Sequence, residues 1–255
     1  MRVEKRGNGD PEYTVVGSLH GDEPAGKNAI EQVLEEGLEF KRPVQFIIAN
    51  ERALEKDVRY TECDLNRVFP GDEESDCFEE RLAAEIMDLV DDTKVLDLHT
   101  THSYPQPFAT FSNLNDVTRG LLRSTGVKDA VYFPEHTGTL NGQLNAVVVE
   151  TGHQKTSQAE ANAVGVIKNF LAAQEVIEGE FETSEPNIFR YYETVEGDWE
   201  FTAENFKEVR AGESFAERED EKLVAKEDFY PVLMSTKGYD GQLGFKAEKI
   251  EELKD

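Results

Sequence analysis

Apolar residues recur in two patterns along the first 178 residues. Short runs rich in β-branched and aromatic residues indicate buried strands, and apolar residues spaced three or four apart indicate amphipathic helices. The predicted strands cover 12–19, 44–49, 94–99, 108–111, 130–133 and 146–150, and the predicted helices cover 24–36, 78–89 and 158–173. Alternating strands and helices predict an α/β domain whose mixed, largely parallel sheet is flanked by helices.

Local signals mark the ends of these helices. Pro24 suits the first position of a helix that Gly37 ends. Asp76 with Glu79 resembles a capping pair at the start of the second helix. Ser157 is expected to open the third.

Beyond residue 178 the pattern changes. Helical periodicity fades, residues 188–195 have the composition of a strand, and the remaining chain consists of short β-like pieces broken by glycine. We therefore predict a catalytic domain over 1–178 and a small β-rich domain over 179–255.

The charge balance restricts the partners. The chain has 53 acidic residues against 27 basic ones, a formal net charge of −26. A field of this sign repels nucleic acid and anionic membranes, so we expect neither as a partner. Because molar salt screens such self-repulsion, we take the protein as halophilic, from a high-salt cytoplasm; the alternative is an ordinary acidic protein with a solvated surface.

Cysteine content and hydropathy indicate a cytoplasmic location. Cys63 and Cys77 are the two cysteines, too few for a disulfide scaffold in a chain of this size, so reduced thiols are the default expectation. No run approaches the ~20 apolar residues that span a bilayer. The first residues lack the apolar segment of a secretory signal.

Candidate metal ligands come first at His20 and Glu23, which are three apart between a predicted strand and a predicted helix. An imidazole and a carboxylate at this spacing can converge on one metal ion, although an acid at a helix start is also common without a metal. His99 ends another predicted strand and supplies a third ligand. Asp97 faces the same side of that strand, where it either orients a ligand or caps a loop.

Further motifs lie between and after these ligands. Residues 59–71 read Arg-Tyr-Thr-Glu-Cys-Asp-Leu-Asn-Arg-Val-Phe-Pro-Gly, and His99 belongs to Asp-Leu-His-Thr-Thr. With His-x-x-Glu, these three motifs in this order resemble the succinylglutamate desuccinylase/aspartoacylase family, of the zinc carboxypeptidase-like superfamily. The resemblance extends over most of the chain.

The resemblance implies a cofactor and residue roles. His20, Glu23 and His99 correspond to the family's ligands for one zinc ion per chain. Arg59 corresponds to the arginine that polarises the scissile carbonyl. Asn66 and Arg67 correspond to the pair that binds a substrate carboxylate, since a guanidinium holds a carboxylate by paired hydrogen bonds. Surface ion pairing is the alternative explanation of both arginines.

A general base follows at the end of an apolar strand. Glu150, in Ala146-Val-Val-Val-Glu, corresponds to the family's catalytic glutamate. A carboxylate there is costly to bury unless it is paired or useful. The expected reaction is hydrolysis of the amide bond of a small N-acyl amino acid, with Glu150 moving the proton and with Arg59 and zinc stabilising the oxyanion.

The sequence departs from aspartoacylases in one stretch. They have an arginine about ten residues before the catalytic glutamate, used on a carboxylate of the acyl group, whereas residues 138–143 here contain no cation. Asn141 and Gln143 either hydrogen-bond a neutral acyl group or form a turn around Gly142. Tyr239 resembles a C-terminal tyrosine that reaches the substrate in aspartoacylases. His102, His136 and His153 are expected in loops or lining a pocket.

Two other functions remain open at this point. One is a zinc carboxypeptidase acting on short peptides, and the other is a non-catalytic metal- or ligand-binding protein. Two histidines and a glutamate also accept cobalt or manganese. A homodimer is the default expectation for a protein of this kind.

The halophile hypothesis gives a first testable prediction. Raising salt from about 0.05 M to molar concentration shortens the Debye length to ~3 Å, so repulsion among the acids falls and the melting temperature should rise. Thermal unfolding followed by circular dichroism at several salt concentrations measures this. A melting temperature that stays constant or falls would contradict the hypothesis.

Overall fold

The computed structural model describes residues 1–134, 137–238 and 241–250. The strands are β1 (Arg2–Arg6), β2 (Tyr13–Gly17), β3 (Val44–Ile48), β4 (Lys94–Thr101), β5 (Phe108–Phe111), β6 (Asp129–Tyr132), β7 (Ala146–His153), β8 (Asn187–Glu196), β9 (Glu200–Phe201), β10 (Ser214–Arg218), β11 (Glu221–Val224), β12 (Tyr230–Val232) and β13 (Gln242–Ile250). The helices are α1 (Ala25–Glu35), α2 (Glu51–Leu54), α3 (Phe78–Val90), α4 (Asp116–Thr125), α5 (Leu140–Gln143) and α6 (Ser157–Ala173), and a 3₁₀ turn covers Leu65–Arg67.

A mixed ten-stranded sheet forms the centre of the molecule, in the order β1-β3-β2-β4-β7-β5-β6-β8-β13-β12. β3, β2, β4 and β7 are parallel neighbours. Every residue of β2 and of β3 is buried, which explains why their sequences are continuous apolar runs. The predicted α/β fold with a largely parallel sheet is confirmed.

Helices cover both faces of this sheet. Val15 packs in a cluster with Ile30 of α1 and Phe170 of α6. The next residue of β2, Val16, packs in a separate cluster with Leu82 and Ile86 of α3. Because successive residues of a strand point to opposite faces, the two clusters lie on opposite sides of the sheet. The predicted helical spacings therefore correspond to core-facing surfaces.

The C-terminal part is rich in β-structure, as predicted. β8, over the stretch expected as a strand, continues the large sheet beside β6, and β13 and β12 extend it in antiparallel pairing. β9, β10 and β11 form a separate three-stranded sheet. The domain boundary at residue 178 stays a prediction.

Two helix starts differ from the sequence prediction. Cys77 occupies the N-cap of α3 and makes no side-chain cap hydrogen bond, so the capping pair of Asp76 with Glu79 is wrong. Glu79 instead turns towards a neighbouring loop, where its carboxylate accepts from the Thr61 backbone N–H at 2.6 Å. The cap of α6 is Thr156, one residue before Ser157, and its Oγ1 accepts from the Ala159 N–H at 3.2 Å.

The two cysteines differ more clearly from expectation. Cys63 and Cys77 form a disulfide bond, so neither is the reduced thiol that composition predicted. The pairing was not predicted because the two cysteines are 14 residues apart in the sequence and meet only where the loop before α3 folds back. The bond ties the segment that contains the 3₁₀ turn to the start of α3. Among the described residues, no helix combines the length and apolar character needed to cross a membrane.

Candidate active site

Three adjacent strands bring the predicted site residues to one edge of the sheet. His20 and Glu23 lie in the loop between β2 and α1, close to the end of β2. His99 of β4 is the register partner of Glu150 of β7. Because these strands are parallel, the residues at their carboxyl ends meet at the same edge, where ligands bind in open α/β sheets.

Gly21 allows this loop to pack tightly. A Cβ atom at Gly21 would lie 2.1 Å from the carbonyl carbon of Ala53, so any larger residue would push the loop away from α2. The Gly21 N–H also donates to the Arg59 carbonyl at 3.2 Å. The glycine between the two ligands therefore brings them close to Arg59.

His20, Glu23 and His99 form a buried set of groups that could hold a metal ion. His20 Nδ1 lies 2.9 Å from Glu23 Oε1, and His99 Nδ1 lies 3.3 Å from Glu23 Oε2. One ligand atom from each residue falls within 4.8 Å of the other two. Two imidazoles and one carboxylate are the donor set of catalytic zinc sites that keep a fourth position open. These residues fit a zinc ion.

Two further carboxylates contact the outer nitrogens of these rings. Asp64 Oδ1 lies 3.1 Å from His20 Nε2, and Asp97 Oδ2 lies 3.0 Å from His99 Nε2. A carboxylate accepts, so each Nε2–H donates to its partner, and each Nδ1 lies on the side of Glu23. Such contacts fix the tautomer and the ring orientation of metal-binding histidines. Asp97 therefore contacts the ring of His99 rather than capping a loop.

The electrostatics of the cluster also favour a bound cation. Burial raises the pKa of Glu23, but His20 and His99 outweigh it and hold that pKa well below its usual range. Burial lowers the pKa of His99, but Asp97 and Glu23 outweigh it and hold that pKa well above its usual range. The Glu23 carboxylate is thus ionised. The acids around His99 stabilise positive charge at the same place where a metal ion would bind.

Arg59 is joined to this cluster through Asp64. Its Nε donates to Asp64 Oδ2 at 3.0 Å, and its Nη1 lies 3.5 Å from Glu23 Oε1. Asp64 therefore bridges a predicted metal ligand and the predicted carbonyl-polarising arginine. Asp64 was not predicted as a site residue from the sequence, although it lies within the same motif, two residues before Asn66.

Asn66 and Arg67 follow in the 3₁₀ turn. Asp64 Oδ1 caps this turn by accepting the Asn66 N–H at 3.0 Å, and Asn66 Oδ1 accepts the Leu140 N–H at 3.0 Å. The Arg67 side chain is exposed, and its Nη1 donates to the Asn66 carbonyl at 2.7 Å. Within 1–134, 137–238 and 241–250, Arg67 pairs with no carboxylate, so surface ion pairing does not explain it.

Glu150 has the properties of a group that exchanges protons. Its Oε2 is buried and has no hydrogen-bond partner among the described residues. Burial raises the pKa of Glu150 to about 7; His99 opposes this shift and Glu23 adds to it. A carboxyl group with a pKa near neutrality can both take up and release a proton at physiological pH.

A single pocket of about 340 Å³ contains the described site residues. It is lined by His20, Glu23, Arg59, Asn66, Arg67, His99 and Glu150, and by Leu233, Leu243 and Phe245 from the C-terminal part. His102 also lines it, whereas His153 ends β7 outside the lining. The predicted substrate residue Tyr239 and the loop residue His136 lie outside the described residues.

Comparisons with known proteins agree with these motifs. Residues 10–111 match the sequence model of the "Succinylglutamate desuccinylase/Aspartoacylase catalytic domain". The predicted resemblance to this family is confirmed. The matched stretch contains the three proposed metal ligands and the segment from Arg59 to Arg67, whereas Glu150 lies beyond it.

Similar proteins extend the match at the level of fold. Rat aspartoacylase is 38% identical over 35% of this chain and 34% of its own length, so the aligned region spans about a third of that relative. A succinylglutamate desuccinylase/aspartoacylase structure from Rhodobacter sphaeroides has a TM-score of 0.77 at 22% identity and covers 98% of this chain and 89% of its own. The product-bound ectoine utilization protein EutE (DoeB) from Ruegeria pomeroyi has a TM-score of 0.77 at 18% identity, covering 97% and 87%. These structures share the fold of this chain.

The bridging position of Asp64 predicts a measurable effect on the metal site. In Asp64→Asn the charge that orients His20 is lost, so zinc affinity should fall about 10–100-fold, as for other groups that hold metal ligands in place. Competition with a chromophoric chelator measures this affinity. Asp88→Asn, which changes an exposed acid of α3, is the matched control and should bind zinc like the parent. Equal affinity in all three proteins would exclude the proposed role of Asp64.

Proposed function

We propose that the protein is a zinc-dependent amidohydrolase that removes the acyl group from a small N-acyl amino acid. The observation that carries the proposal is one pocket lined by three convergent groups that could hold a metal, by an arginine that has no ion-pair partner among the described residues, and by a carboxyl group whose pKa is near 7. Each of these is needed for hydrolysis of an amide beside a carboxylate. The similarity to rat aspartoacylase over a third of its length supports the same reaction class.

His20, Glu23 and His99 would hold the metal. A zinc ion there would supply Lewis acidity, which lowers the pKa of water and polarises an amide carbonyl. Arg59, at the edge of the ligand cluster, would stabilise the negative charge that develops on the carbonyl oxygen. Asp64 holds the Arg59 guanidinium in place for this role.

Glu150 moves the proton. It takes a proton from the attacking water as the oxygen–carbon bond forms, and it delivers that proton to the nitrogen as the carbon–nitrogen bond breaks. The products are a carboxylic acid and a free amino acid. The raised pKa of Glu150 suits both transfers.

Arg67 and Asn66 would bind the carboxylate of the amino acid. A guanidinium without an intramolecular ion pair can form paired, charge-assisted hydrogen bonds to a substrate carboxylate. Leu233, Leu243 and Phe245 line the same pocket, whose volume of about 340 Å³ suits a small substrate better than a peptide chain. For this reason we favour a deacylase over a carboxypeptidase.

Other properties remain predictions from the sequence alone. They are the zinc stoichiometry of one per chain, the halophilic character, the homodimer and the cytoplasmic location. The Cys63–Cys77 disulfide weighs against the last of these, because cytosolic thiols are usually kept reduced.

Glu150→Gln tests the proposed reaction. The amide cannot accept the proton from water, so kcat should fall by about 10²–10⁴, whereas zinc content should remain that of the parent. The assay follows release of free amino acid from a panel of N-acyl amino acids and short peptides, with zinc measured by elemental analysis. Glu178→Gln, which changes a highly exposed glutamate, is the control.

Each result on this panel has a distinct meaning. Near-parental hydrolysis by Glu150→Gln would contradict the assignment of the base. A preference of the parent for peptides would favour the carboxypeptidase. Zinc binding with no hydrolysis on the panel would favour a non-catalytic metal-binding protein.

A further inference from the structure

The positive charge of the pocket is concentrated at one side chain. Among the described lining residues, the arginines are Arg59 and Arg67, and there is no lysine. Arg59 is held by two carboxylates of the protein, at 3.0 Å from Asp64 and 3.5 Å from Glu23. His102 also lines the pocket, but an imidazole offers a carboxylate one hydrogen bond at a time, whereas a guanidinium offers two in parallel. Arg67 is therefore the group best placed to bind an anion, and one guanidinium binds one carboxylate.

The wall beyond Glu150 is uncharged. Val148 lies two residues before Glu150 in β7 and so faces the same side of the sheet. Its register partner in β5 is Thr110, which also lines the pocket. Phe133 and Leu243 add apolar surface. A neutral, partly apolar group fits this wall, whereas a carboxylate would find no arginine or lysine among the described residues that form it.

The side of the pocket next to Arg67 is uncharged as well. α5 packs against the 3₁₀ turn, since Asn66 Oδ1 accepts the Leu140 N–H at 3.0 Å and the Phe69 N–H donates to the Gly138 carbonyl at 3.0 Å. The cation-free stretch 138–143 thus lies beside the predicted carboxylate site. A bound substrate would therefore have this stretch next to its amino-acid end as well as its acyl end.

Asn141 occupies this position. Its side chain lines the pocket and is 5% exposed, and its amide makes no hydrogen bond within the described residues. Because this amide faces the pocket, a bound molecule can form a direct hydrogen bond with it in place of water. An amide both donates and accepts, which suits a neutral polar group.

We propose that the pocket selects N-acyl amino acids that have one carboxylate and are otherwise uncharged, with Asn141 as the residue that recognises a neutral group beside the Arg67-bound carboxylate. The inference rests on the proposed deacylase function and names its substrate class. It assigns Arg67 to the only carboxylate of the substrate and the apolar wall to a neutral acyl group.

Matched substrate pairs test this selection. N-acetylglutamine is compared with N-acetylglutamate, and N-butanoylglycine with N-succinylglycine, so that each pair differs by one carboxylate. The neutral member should have a kcat/KM higher by about 100-fold or more, in the range of discrimination by unpaired buried polar groups. An equal or higher kcat/KM for the dicarboxylate in either pair would overturn the inference and leave the proposed function standing. Hydrolysis of none of the four would overturn both.

Asn141→Arg tests the assigned residue. A second guanidinium at this position should raise the ratio of kcat/KM for N-acetylglutamate over N-acetylglutamine by about 10-fold or more. Asn141→Gln, which adds length without charge, should keep the preference for N-acetylglutamine. A folded Asn141→Arg protein with an unchanged ratio would overturn the role of Asn141. If this variant does not fold, the substrate pairs on the parent protein still decide the selection.

Discussion

The buried Glu23 carboxylate is the interaction on which the rest of the site depends. It contacts Nδ1 of both His20 and His99, and its Oε2 accepts the Thr100 N–H at 2.8 Å. It thereby joins the loop after β2 to β4. An ionised carboxylate in the interior requires compensating positive charge, and two imidazoles with a metal ion would provide it.

The burial of other acids follows the same requirement. Among the described residues, the acids that are fully buried are Glu23, Glu79 and Asp97. Asp97 orients His99, and Glu79 accepts backbone N–H groups of the loop that leads to Asp64. The chain has 53 acidic residues, and each of these three buried acids accepts hydrogen bonds from a proposed metal ligand, from the β4 backbone or from a loop. The net negative field also disfavours polyanionic substrates, in agreement with a pocket in whose described lining Arg67 is the arginine that contacts no carboxylate.

Much of the core could be predicted from local pattern. β2, β3, β4 and β7 are rich in apolar residues because both faces of the central sheet are covered, and the spacing of apolar residues located α1, α3 and α6. α4 was missed, although Asn115 caps it and Gly126 follows it in the left-handed conformation. The ligands were found because each follows or ends a recognisable strand.

Features that depend on distant contacts could not be predicted in this way. The Cys63–Cys77 bond, the contact of Asp64 with His20, and the turn of Glu79 towards Thr61 all join segments that meet only in the folded chain. The addition of β8, β13 and β12 to the large sheet likewise depends on long-range pairing, because β8 pairs with β6, β13 with β8 and β12 with β13. Local patterns identify elements, and long-range pairing decides which polar groups become partners.

The central claim is that one metal ion is bound by His20, Glu23 and His99. The most direct measurement is an anomalous difference map at the zinc absorption edge, from crystals of the zinc-loaded protein. The account predicts one peak per chain, bound through Nδ1 of both histidines at about 2.0–2.1 Å and through the Glu23 carboxylate. A peak at another place, or coordination through Nε2 with Asp64 and Asp97 displaced, would contradict it.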